Sequence, residues 1–146
     1  MDQRMSVVTL GVDDLDRART FYERGLGWRR GNVEDEVAFY QLPGFVVALW
    51  SRDEQAADAG LPVRPRDEVG TSCGGITLAQ NQPDPATVDA VVAEVVAAGG
   101  RVTRAAAPTS WGGYSAYVSD PDGHVWEIAF NPAWHVDSDG GTSLGS

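Results

Sequence analysis

Val8-Thr9-Leu10-Gly11 recurs as Ile76-Thr77-Leu78-Ala79, and each copy runs into an amphipathic helix that stops at a glycine, Gly25 in the first half and Gly99 in the second. Later in each half comes a hairpin. The first runs from Ala38 to Leu49 around Pro43-Gly44, the second from Ala116 to Ile128 around Asp120-Pro121-Asp122-Gly123. Self-similarity on this scale marks a duplicated supersecondary unit, so it decides the fold ahead of local propensity. It also states which residues hold equivalent places in the two halves.

Working outward, Val7 to Val12 is β-branched and ends at Asp13-Asp14, where Asp14 is a suitable N-cap. Leu15, Ala18, Phe21, Tyr22 and Leu26 then form one apolar helical stripe. Trp28 to Glu34 is expected as a short strand, followed by a hairpin of Val37 to Leu42 and Phe45 to Ser51. A charged linker from Arg52 to Ser72 includes a helix-compatible stretch, Asp53 to Ala59. In the second half Cys73 to Gln80 reads as a strand. Asp84-Pro85 opens a helix striped by Val88, Val91, Val92, Val95 and Val96. Arg101 to Arg104 is expected as a short strand, Ala105 to Gly112 as a loop, and Gly113 to Val118 with His124 to Phe130 as the last hairpin. Beyond Pro132 the chain turns Asp/Ser/Gly-rich and is expected to be flexible.

The fold class is therefore α+β, with two βαβββ modules forming a curved mixed sheet with a cleft and helices on the outer face. The expected organisation is one domain over residues 1–132, with module 1 at about 5–51, a linker at 52–72 and module 2 at about 73–132. A tail follows at 133–146.

At 146 residues, 42% of them hydrophobic, the chain can bury a real core. Eleven basic against 21 acidic residues give a net charge of −10, without a basic cluster to track phosphates, so nucleic acid and anionic membrane are poor partners. No apolar run reaches the roughly 18 residues a spanning helix needs, and the N-terminal stretch lacks a secretory core. A single cysteine, Cys73, suits a reducing compartment. The expected location is the cytoplasm.

The words Gly11-Val12-Asp13-Asp14-Leu15, Phe21-Tyr22-Glu23-Arg24-Gly25-Leu26-Gly27-Trp28 and Gly112-Gly113-Tyr114, with Asp120-Pro121-Asp122-Gly123-His124-Val125-Trp126-Glu127-Ile128, carry a resemblance. Over nearly all of Val7 to Pro132 the chain resembles the vicinal oxygen chelate superfamily, which includes glyoxalase I, extradiol dioxygenases, and bleomycin and fosfomycin resistance proteins. The resemblance implies paired βαβββ modules and a homodimer. It implies no single reaction.

Metal enzymes of that superfamily take ligands from the first and last strands of each module. Carried over by the motifs, those positions fall on Val7, Ala48, Gly75 and Glu127. Only Glu127 carries a donor, whereas a divalent site needs about three or more N, O or S ligands. A divalent metal is therefore disfavoured and no other cofactor is expected. His124, an odd number of residues before Glu127 on a strand, points away from it, and His135 lies in the tail; both are read as solvent-exposed.

By strand alternation the face of Glu127 is expected to include Thr9, Trp50, Thr77 and Tyr114, with Ala116 beside Tyr114 if Ser119 stands opposite His124. Trp111, in a glycine-bearing loop, is a candidate lid. Such a lining suits a flat or aromatic organic molecule. Glu127, enclosed by apolar neighbours, has three competing roles: paired with an arginine or a buried water, anchoring a ligand, or acting as a general base. The leading expectation is a metal-free small-molecule-binding protein, similar in kind to antibiotic-sequestering members. The alternative is a glyoxalase- or dioxygenase-like enzyme using Glu127 as base or as one ligand of a shifted metal site.

Overall fold

The computed structural model describes residues 1–65 and 72–145. It divides into two compact units, Met1–Arg66 and Asp67–Ser146. The part of the expected linker at residues 66–71 lies outside the described residues.

In the first unit, β1 (Val7–Val12) pairs in parallel with β3 (Phe45–Ser51), which pairs antiparallel with β2 (Val37–Leu42), giving the order β1-β3-β2. Alternation sends Leu10, Val12, Ala38, Tyr40, Val47 and Leu49 to one face, where all are buried. Helix α1 (Leu15–Arg19) covers that face, opened by the Asp14 carboxylate accepting from the Arg17 amide at 2.9 Å. The helix then widens into a π-helical segment, Thr20–Gly25. The wider turn lets the adjacent Phe21 and Tyr22 both reach the core, at 3% and 1% exposure. Tyr22 packs edge-on with Phe21 and leans against Trp28 and Tyr40. The buried Tyr40 hydroxyl finds its partner in Glu23 at 3.0 Å, and Glu23 is bracketed by Arg19 and Arg30. Burial first, then the Glu23 bond and charge, hold this phenol well above its usual range.

The strand expected at Trp28 to Glu34 is replaced by a single bridge, Arg30 to Tyr40. The reason is Asn32: its side chain donates to the Val37 carbonyl at 2.8 Å and accepts from the Phe39 amide at 2.8 Å. An amide side chain thus satisfies the β2 edge where a backbone ladder was expected. After β3 the chain forms α2 (Arg52–Asp58), capped by Ser51 and starting one residue before the helix-compatible stretch. Helix α2 packs on β1 from the side opposite α1: Gln55 donates to the Thr9 carbonyl at 3.2 Å. A Cβ on Gly11 would lie 2.9 Å from the Cβ of Arg52.

The second unit is a complete βαβββ module with strand order β4-β7-β6-β5, only the β4–β7 pair being parallel. Strand β4 (Leu78–Asn81) begins later than the expected Cys73, because Gly75 sits at φ +84, outside strand conformation. Helix α3 (Pro85–Ala97) matches its expected signals: Asp84 accepts from the Thr87 amide at 2.7 Å and Pro85 takes the first turn. It packs Val88 and Val95 against the sheet. Burial of each such side chain is worth about 1.5–3 kcal/mol. Strand β5 (Arg101–Pro108) runs through the expected loop, with register shifts on either side of Arg104. No breaker interrupts Ala105-Ala106-Ala107, and Pro108 closes an edge strand where its missing N–H is tolerated. Strands β6 (Tyr114–Ser119) and β7 (Val125–Phe130) form the last hairpin.

The segment expected as a flexible tail contains a small hairpin, β8 (Trp134–Val136) with β9 (Thr142–Leu144). Its Asp/Ser/Gly composition is turn chemistry: the Asp137 amide donates to the Gly141 carbonyl at 2.8 Å and Gly140 adopts φ +87. Among the described residues no helix is long and apolar enough to cross a membrane.

Candidate functional site

The site is built on β6 and β7 of the second unit. Their register puts Tyr117 opposite Glu127, Ser115 opposite Ala129 and Ser119 opposite Val125. Residues directly opposite share a sheet face, so these six stand together, joined from β4 by Ala79 beside Glu127 and Asn81 beside Ala129.

Tyr117 and the Glu127 carboxylate face each other across β6 and β7. Burial first, then the charge and hydrogen-bonding pull of Glu127, push the Tyr117 phenol above its ordinary value, with Cys73 adding to the rise and Arg104 opposing it. Arg104 reaches in from β5, its guanidinium carbon 4.8 Å from the centre of the Tyr117 ring. One of its terminal nitrogens donates to Ser115 Oγ at 2.6 Å. A carboxylate, a phenol, a guanidinium and a hydroxyl thus stand together on one sheet face.

This register differs by one residue from the expected one. Asp120, at 1% exposure, sets it. Its Oδ1 accepts from the amides of Asp122 at 3.0 Å and His124 at 2.9 Å, and its Oδ2 meets His124 Nδ1 at 2.8 Å. Asp120, not Ser119, therefore stands opposite His124. A one-residue slip transfers every side chain to the other face. Tyr114 and Ala116 accordingly belong to the helix side, where Ala116 is buried and the Tyr114 hydroxyl donates to Asp89 of α3 at 3.0 Å. Tyr117 takes the place assigned to Tyr114. His124, expected in solvent, has only 24% of its side chain exposed and locks the turn.

The other candidates are dispersed. Thr9 and Trp50 lie in the first unit, half-buried, on the sheet face opposite α1, with Val7, Val46 and Ala48; the registers add Val37, Phe39 and Gln41. Helix α2 covers the Gly11 end of that face. Thr77 precedes β4 and is exposed, its hydroxyl 4.0 Å from the Cys73 sulfur. Trp111 is half-exposed, and its ring lies against Gly113, whose loop is closed by two bonds to Thr109, each of 2.9 Å. His135 is exposed beside Asp137 at 3.1 Å.

The donor set does not fit the metal that the superfamily's enzymes use. Val7 and Ala48 carry hydrocarbon side chains without a donor atom, paired in the ladder with Val46 and Thr9 respectively, and Gly75 has no side chain at all. Among the described residues, no three of His, Cys, Asp and Glu converge. The group around Glu127 offers one carboxylate with a cation, not a set of ligands. It does retain unused hydrogen-bonding capacity: Ser119 Oγ and Asn81 Nδ2 are buried without partners among the described residues. Buried polar atoms of this kind call for a ligand or water.

Tyr117, Arg104, Ser115 and Asn81 escaped the sequence reading. The available signal was Asp120 itself, a turn carboxylate able to bond its own backbone two and four residues on.

The family model of the Glyoxalase/Bleomycin resistance protein/Dioxygenase superfamily matches residues 4–128. The chain is 32% identical over 126 residues to a lactoylglutathione lyase of Haemophilus influenzae, spanning 84% of this chain and 88% of that protein. A glyoxalase-related enzyme from Fulvimarina pelagi superposes with a TM-score of 0.89 at 39% identity, over 99% of this chain and 100% of that one. A lactoylglutathione lyase from Agrobacterium tumefaciens superposes with a TM-score of 0.64 at 25% identity, over 89% and 95% of the two chains.

Proposed function

The chain belongs to the Glyoxalase/Bleomycin resistance protein/Dioxygenase superfamily, and from that premise we propose that it is a small-molecule-binding protein whose ligand rests on the Glu127 face without a metal ion. The observation that carries this reading is the placing of Glu127, Tyr117, Arg104 and Ser115 together on one sheet face, in register and with Arg104 bonded to Ser115 and lying over the Tyr117 ring. Polar groups fixed in orientation on an otherwise small-residue surface are what organic ligands require for anchoring. The orphaned Ser119 hydroxyl and Asn81 amide add partners within the same face. The absence of side-chain donors at Val7, Ala48 and Gly75 supports the metal-free part. The reading places the protein in the cytoplasm as a homodimer, consistent with the exposed apolar Val7 and Phe39 on the first unit's sheet.

A second reading is favoured by the lactoylglutathione lyases among its relatives: a glyoxalase-like enzyme with Glu127 as general base. Glu127→Gln separates the two. A binder retains part of its affinity, because the isosteric amide still offers an oxygen acceptor on the same face. An enzyme that abstracts a proton through Glu127 loses turnover altogether while still binding substrate.

A further inference from the structure

We propose that Arg104 is an anion-anchoring residue, and that the ligand of the Glu127 face is a small organic carboxylate bearing a neighbouring hydroxyl or amino group. The proposal rests on the reading of that face as the ligand site.

Arg19, Arg30 and Arg52 each pair with a carboxylate, at 3.4 Å to Glu23, 3.6 Å to Asp35 and 3.3 Å to Asp13 respectively. Arg104, on the exposed strand β5, is held by neutral groups: the Ser115 hydroxyl and the Tyr117 ring. Among the described residues no carboxylate stands within ion-pair distance of it. In a chain of net charge −10, this guanidinium is held by neutral partners alone among the described residues. Its plane presents five N–H donors; Ser115 engages one of its terminal nitrogens, and stacking leaves the in-plane edge open. A planar carboxylate is the group that matches this fork with two parallel bonds. Ser115 is at 1% exposure, so the hydroxyl that Arg104 bonds is itself held in place, which lowers the cost of ordering the guanidinium when a ligand binds.

Glu127 restricts the ligand further. It lies two strands from Arg104, with Tyr117 in register between them. Strand spacing of about 4.8 Å puts the two backbones roughly 10 Å apart, and long side chains bring their charges to opposite ends of a small molecule. A purely anionic ligand would be repelled by Glu127. A hydroxyl or ammonium beside the carboxylate gives Glu127 a donor to accept from, so the two groups together select a hydroxy- or amino-carboxylate.

The experiment is an NMR titration with mandelate, an aromatic hydroxy-carboxylate, and with mandelamide, its uncharged counterpart. Mandelate is expected to shift the Arg104 Nε–H and Tyr117 ring signals and to bind roughly tenfold or more tighter than mandelamide. Arg104→Gln is expected to erase that preference and leave the two compounds equally weak. Equal affinity of both compounds for the wild-type protein, or a preference surviving in Arg104→Gln, overturns the proposal. If neither compound moves the signals of Tyr117 or Glu127, the assignment of this face as the ligand site fails, and the carboxylate anchor falls with it.

Discussion

Tyr117 and Glu127 stand directly opposite each other across β6 and β7, and the carboxylate charge helps hold the phenol above its ordinary value. Glu127→Gln removes the negative charge that helps hold the phenol up, so the Tyr117 titration is expected to move down towards its ordinary value. Ultraviolet difference titration of phenolate, with Tyr117→Phe to identify the signal, measures this. An unmoved titration would deny the contact.

The same shift fixes a pH dependence. A phenol whose folded-state pKa lies above its unfolded value contributes stability that is fully present below the unfolded value, about 10, and lost as pH rises through the folded one. Tyr40 and Tyr114 are raised as well, so the comparison must be made by difference. Denaturant unfolding at roughly pH 9 and roughly pH 11 is expected to show a smaller alkaline loss in Tyr117→Phe than in wild type. An equal loss in both proteins would contradict the assignment.

Asp120 governs the register on which this pair depends. Asp120→Ala leaves the Asp122 and His124 amides and the His124 ring without their acceptor, at a cost of about 2–4 kcal/mol. Asp120→Asn keeps one oxygen acceptor and is expected to lose less. Denaturant unfolding, with hydrogen exchange of the β6 and β7 amides, checks the order of the three proteins.

Gly11 lets α2 lie close to β1. Gly11→Ala drives a methyl group into Arg52 and Gln55, and is expected to destabilise by about 1–3 kcal/mol. The Gln55 bond to the Thr9 carbonyl should break, which amide and side-chain NMR signals would report. Wild-type stability in Gly11→Ala would show that α2 does not pack there.

These residues also mark what could be read from the sequence. The fold class, the Asp14 and Asp84 caps and the final hairpin were legible, because apolar period and cap chemistry are local. The extent of β4 and β5 was not: a glycine conformation delays the first, and bulges prolong the second. The site was half legible. Glu127 followed from alternation and resemblance, but Tyr117 and Arg104 depend on a turn in which one carboxylate bonds three groups, and that turn moved the partner strand by one residue. Asn32 is a parallel case, a side chain doing what a backbone strand was expected to do.

The central claim is that a superfamily scaffold binds an organic ligand at Glu127 without a metal, and elemental analysis of the purified protein after dialysis, alone and after incubation with zinc or nickel, tests it most directly. The account predicts no stoichiometric metal under either condition and ligand binding unchanged by EDTA. One tightly held divalent ion per chain, with ligand binding lost on its removal, would contradict it.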